Sequence, residues 1–110
     1  MSKYLFCTSY TVEGLKGLIK EGGSKRREAV AQALKSLGGT LEAYYYAFGG
    51  TDLFIIMDLP DNVSATAASL VSNVAGTSKI ETIVLITPKE VDQAADLAKE
   101  KMAAYRPPGR

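Results

Sequence analysis

The chain is 110 residues long and 46% hydrophobic, with thirteen basic and twelve acidic side chains, a formal charge of +1, one cysteine and no histidine. A chain of this length buries roughly two thirds of its unfolded surface, enough for one core without staples, so we expect a single domain over residues 1–110 with a Pro-rich tail at 105–110. The near-neutral balance excludes the broad basic field that nucleic acid demands, and the absence of imidazole excludes Ser-His and Cys-His nucleophiles and the usual nitrogen ligands for zinc or iron.

Cys7, alone and within an apolar run, reads as a buried thiol in a reducing compartment. The opening "MSKYLFCTSYT" has no long apolar segment and no small-residue cleavage site, and no stretch approaches the roughly 20 apolar residues of a spanning helix. These features predict a cytoplasmic protein with no membrane partner. Walker loops, dinucleotide-binding glycine patterns and EF-hand spacings are all missing, so neither cofactor nor metal is called for.

In chain order, "KYLFCTSY" (3–10) predicts a strand rich in aromatic and β-favouring residues. Thr11 is an N-cap, with Glu13 in the first turn where the helix dipole favours negative charge. Leu15, Leu18 and Ile19 recur at helical spacing until Gly22 and Gly23 interrupt them. Ser24 restarts a helix through Val30, Leu34 and Leu37, which Gly38-Gly39 closes, so the first helix is expected in two pieces. "TLEAYYYAF" (40–48) and "DLFIIMDL" (52–59) predict a hairpin about Gly49-Gly50. Asp61 then caps a helix whose apolar face is Val63, Ala67, Leu70, Val71 and Val74, ending at Gly76. "KIETIVLIT" (79–87) predicts the fourth strand. "TPKE" spells a capping box with Thr87 as N-cap and Glu90 at N3, Ile86 and Val91 can form its hydrophobic staple, and the last helix runs to about Ala104.

Strand, helix, strand, strand, helix, strand, then a C-terminal helix is the order of a ferredoxin-like α+β fold. Both helices cover one face of the sheet. The third and fourth strands are apolar on both alternating sides, so the open face calls for a cover, and self-association into a dimeric α+β barrel is the simplest one. Strict alternation in the second strand puts Leu41, Ala43, Tyr45 and Ala47 against the helices, and Glu42, Tyr44, Tyr46 and Phe48 on the side that meets a partner or ligand.

The run "YTVEGLKGL" after the first strand, the Arg-containing helix ending in "LGG", and the segment "AFGGTDLFIIMDLPD" together resemble the GYD domain family over residues 3 to 88. That resemblance implies a ferredoxin-like dimeric α+β barrel without an established activity. The Gly-Tyr-Asp motif of the family falls on Gly50, Thr51 and Asp52, so Thr51 departs from it, keeping a hydroxyl without the phenol.

Two sites are candidates. The first gathers Tyr10, Tyr44, Tyr46, Phe48, Thr51 and Asp52 at a barrel mouth as ligand-binding residues, with Asp52, Tyr10 and Tyr46 as candidate catalytic groups: a carboxylate desolvated beside phenols is suited to acid-base work. The competing reading has Asp52 pinning the hairpin through backbone N–H groups and the tyrosines packing as an aromatic ladder. The second is "GGSKRRE", where Ser24, Arg26 and Arg27 open a helix whose dipole already disfavours cations; an anion would relieve them, and pairing with Glu21 or Glu28 is the alternative.

The reading that ranks first is an oligomeric small-molecule-binding or regulatory module, a homodimer or multiple of dimers that binds a small molecule or an anion. A cofactor-independent oxygenase or isomerase ranks second, and a structural assembly subunit whose tail clasps a neighbour third.

Overall fold

The computed structural model describes residues 1–110. Strand β1 (Ser2–Tyr10) leads into helices α1 (Val12–Glu21) and α2 (Gly23–Ser36), followed by β2 (Thr40–Tyr46), β3 (Leu53–Leu59), α3 (Asn62–Val74), β4 (Ser78–Leu85) and α4 (Pro88–Lys101), with a short 3₁₀ turn at Met102–Ala104. The helix starts follow local chemistry. Side chains of Thr11, Asp61 and Thr87 accept the backbone N–H of Gly14, Ser64 and Glu90 respectively, and the capping box at Thr87 is complete. Gly22, at φ 82°, separates α1 from α2 in a conformation that side-chain-bearing residues rarely adopt.

The four strands form one antiparallel sheet in the order β2-β3-β1-β4. This is the ferredoxin-like α+β fold. Its core lies between the sheet and the helices: Tyr4 and Phe6 of β1 and Leu53, Ile55, Met57 and Leu59 of β3 are buried there with Leu34 of α2 and Ala65 of α3.

The faces of β2 differ from strict alternation. Leu41 pairs with Met57, but Ala43 pairs with Ile56 and Tyr44 with Ile55, so one extra residue, Glu42, is inserted as a β-bulge. Beyond the bulge the parity inverts. Tyr44 and Tyr46 stand on the helix side with Ile55 and Leu53, whereas Tyr45, opposite Phe54, stands on the open face and is 73% exposed. The bulge has an electrostatic anchor: the Lys3 ammonium donates to Glu42 at 2.7 Å and to Asp58 at 3.1 Å, which keeps Glu42 on the open side. The β2–β3 connection is also longer than a two-residue turn. It spans residues 47–52, closed by Ala47 N–H to the Asp52 carbonyl at 2.9 Å.

The open sheet face carries Leu5, Cys7, Ala43, Tyr45, Phe54, Ile56, Ile83 and Leu85, with Lys3, Glu42, Asp58 and Glu81 among them. Helix α4 makes no substantial packing contact with another helix or strand and has no buried residue; Val91 and Leu97 stay exposed along it, and Met102 and Tyr105 just beyond its end. The radius of gyration is accordingly 17.8 Å, against about 13 Å for a compact chain of this length.

Candidate functional site

A cavity of about 560 Å³ lies between the sheet and the helices. Its floor is Phe6, Thr8 and Tyr10 of β1 with Leu53, Ile55 and Tyr44; its walls are Leu18 of α1, Val30 and Leu34 of α2, and Ala68 and Val71 of α3. It exists because α3 packs on β3 and β4 while α2 packs on β2, and neither α1 nor α2 closes against α3. Small residues hold the helices close to the sheet around it. A Cβ on Gly14 would collide with the Thr77 carbonyl, and one on Gly23 would meet the Tyr46 ring at 3.0 Å.

At one end of the cavity three phenols converge. The Tyr46 hydroxyl donates to the Gly23 carbonyl at 3.2 Å and lies 3.2 Å from the Tyr44 hydroxyl. Because a phenol has one proton and Tyr46 gives its own to Gly23, Tyr44 is the donor to Tyr46. The two rings meet edge to face, 5.4 Å between centroids, and Phe48 stacks flat on Tyr46 at 5.7 Å. Tyr10 completes the cluster. Burial, reinforced by its hydrogen bond to Tyr46, pushes the Tyr44 phenol far above its ordinary range; burial also raises Tyr10, which its interaction with Tyr44 and, less, Arg26 partly offset. The phenols of Tyr10 and Tyr44 are neutral donors and acceptors at physiological pH.

The six residues expected at a barrel mouth are brought to one end of the fold, in two layers. Tyr10 and Tyr44 line the cavity, and Tyr46 and Phe48 stack behind them. Asp52 stands outside the cavity lining: its carboxylate accepts the Tyr10 backbone N–H at 2.8 Å, and its own N–H donates to the Thr8 carbonyl at 3.0 Å, tying the loop to the end of β1. Thr51 is half-buried in that loop, where its carbonyl accepts from Gly49 at 3.3 Å.

Of the expected anion site, Arg26 reaches the cavity rim, paired with Glu21 at 3.7 Å, while Ser24 and Arg27 are exposed and do not line it. The N-terminus of α2 has no side-chain cap. Thr8, Glu13 and Glu21 also line the cavity, Glu13 having been expected only as a helix-start charge and Glu21 only as an ion-pair partner. Thr8 carried a signal: it is the one polar side chain between Phe6 and Tyr10 on the buried parity of β1. It is 3% exposed, and its hydroxyl has no hydrogen-bond partner.

A family model described as the GYD domain matches residues 4–95. The chain belongs to the GYD domain family. Searches of curated proteins and of solved structures gave no significant match. The GYD match takes in the sheet apart from the first two residues of β1, the cavity and the phenol cluster, and extends into α4. At the family motif this GYD-domain protein carries Thr51 beside Asp52, the carboxylate that holds the end of β1.

Proposed function

We propose that this GYD-domain protein is a homodimeric small-molecule-binding module whose ligand occupies the helix–sheet cavity. The observation that carries the reading is the cavity itself: a concave space of about 560 Å³ with mainly apolar walls and a few convergent polar groups at one end. That is the size and character of small-molecule sites generally. Apolar walls supply affinity by desolvation, and the phenols with Arg26 supply orientation.

Surface area supports the dimer. The chain exposes 7780 Å², whereas a monomer of its mass is expected to expose about 5,900 Å². The excess is roughly 1,900 Å² per chain, about 3,800 Å² for two chains, which falls in the range of obligate homodimer interfaces. Exposed apolar side chains of the open sheet face and of α4 contribute to it, as do those of α1 and α3, and a second copy supplies the complement of the first two surfaces. A two-fold pairing of sheet faces gives the dimeric α+β barrel, with α4 reaching across to the other subunit. The half-buried, unpaired Cys7 on this face and the lack of disulfides fit a cytoplasmic setting.

Native mass spectrometry on protein purified gently from cells tests both parts. A dimer, or a multiple of dimers, carrying a bound small mass is the expected result. A clean monomer removes the dimer, and failure to bind any apolar probe in solution removes the cavity reading.

A further inference from the structure

Resting on the cavity reading, we infer that the ligand class is a neutral, largely apolar molecule bearing a carbonyl oxygen, such as a ketone or an ester, recognised by hydroxyl donors along β1.

The donors and acceptors facing the cavity are unequal. Tyr44 has committed its proton to Tyr46, and Tyr46 has committed its own to Gly23. The Thr8 hydroxyl remains with no partner at all, and the Tyr10 phenol, which interacts with Tyr44 and Tyr46, is the second donor at hand. Tyr10 lines the cavity beside Tyr44, and Thr8 lines it two residues earlier on the same face of β1. The Thr8 hydroxyl is buried without a partner, an arrangement that costs on the order of 1–3 kcal/mol and is rare in native proteins. One step about χ1 moves a threonine hydroxyl into the place its methyl held, so a ligand acceptor at the cavity wall can satisfy it. A ligand oxygen completes what the empty fold leaves open.

Charge selects among oxygen ligands. The only cation lining the cavity is Arg26, already paired with Glu21 at 3.7 Å, and Glu13 adds a second carboxylate to the lining. The lining sums to a negative charge. An anionic ligand would meet two carboxylates and one occupied guanidinium, whereas a neutral carbonyl accepts from Thr8 and Tyr10 without opposing them. An ammonium ion, a donor only, would leave the Thr8 proton without an acceptor.

Three naphthalene probes test this with the full chain: naphthalene, its methyl ketone acetylnaphthalene, and naphthoate. Equilibrium dialysis, with each probe quantified by its naphthyl absorbance in the protein-free chamber, measures all three affinities. The ketone is expected to bind on the order of tenfold more tightly than naphthalene, the gain of about one buried hydrogen bond, and more tightly than naphthoate. Thr8→Val, which removes an unsatisfied hydroxyl at nearly constant volume, is expected to match or exceed the parent's thermal midpoint, to retain naphthalene affinity and to lose most of the ketone preference. Tyr10→Phe is the second variant and is expected to reduce the same preference. Equal affinity for naphthalene and its ketone, or a ketone preference that survives both substitutions, overturns the carbonyl assignment and leaves the cavity reading standing. Tighter binding of naphthoate overturns neutrality in favour of an anion. No binding of any of the three overturns the cavity reading, and the assignment with it.

Discussion

The hydroxyl of Tyr46 donates to the carbonyl of Gly23 at 3.2 Å, joining the last residue of β2 to the first residue of α2. This bond fixes the direction of the neighbouring one, because Tyr46 can then only accept from Tyr44. It also couples the break between α1 and α2 to the cavity, since Gly23 lies against the Tyr46 ring. Tyr46→Phe is expected to destabilise the fold by about 1 kcal/mol and to free Tyr44 to donate elsewhere. Denaturant melts measure the first effect. An unchanged midpoint would mean that the bond contributes nothing.

Gly14 brings α1 against the Thr77 carbonyl and the Tyr10 ring. Gly14→Ala drives a methyl into backbone, which cannot swing aside as a flexible side chain would. A loss of about 1–3 kcal/mol is expected, the usual cost of overpacking, together with weaker probe binding as the Tyr10 ring is displaced. Gly17→Ala is the control: nothing lies near the added methyl, and the substitution should be neutral or slightly stabilising.

Asp52 accepts the Tyr10 N–H through its carboxylate. Asp52→Ala is expected to cost about 1.5–3 kcal/mol, because a hydrogen bond to a charged acceptor is lost. Asp52→Asn keeps an acceptor oxygen and should retain roughly half of that stability. Urea midpoints for the pair measure this. If the asparagine variant is as stable as the parent yet stops converting a substrate identified later, the carboxylate has a chemical role beyond holding β1.

Burial raises the phenols of Tyr10 and Tyr44 above their ordinary 10.0. The folded state therefore holds these protons more tightly than the unfolded chain, so their contribution to stability is intact below about pH 10 and falls as pH rises further. Among six tyrosines, phenolate absorbance should show these two ionising late, in step with unfolding. Tyr44→Phe should remove one late titration. At the acid end the sign is opposite. Ser64 N–H lowers Asp61 and Thr87 N–H lowers Glu90, so these caps help at neutral pH and are lost as pH falls through their depressed values.

Phe54 and Ile83 stand on the open sheet face, each 37% exposed. Phe54→Glu and Ile83→Lys should leave the circular dichroism spectrum of the fold intact and convert a dimer to a monomer in native mass spectrometry, because a buried unpaired charge is strongly disfavoured. A dimer that survives both substitutions places the contact elsewhere, with α4 as the surface to alter next.

Cap residues, glycine breaks and hydrophobic period lay in adjacent positions of the chain. Thr11, Gly22, Asp61 and Thr87 therefore marked the ends and starts of helices without reference to anything distant, and the order of elements followed, with the apolar character of both faces of β3 and β4. The side on which the tyrosines stand was a tertiary decision. Alternation carries sidedness only while every residue is paired, and the bulge at Glu42, held out by Lys3 from 39 positions away, inverts it for Tyr44 and Tyr46. The cavity is likewise a property of separation: no local pattern records that α1 and α2 stop short of α3, or that Thr8 is thereby buried without a partner. Residues near in sequence determine where the backbone bends, because caps and turns act within a few bonds. Which groups face one another is determined by packing between elements, which is settled only when the whole chain is assembled.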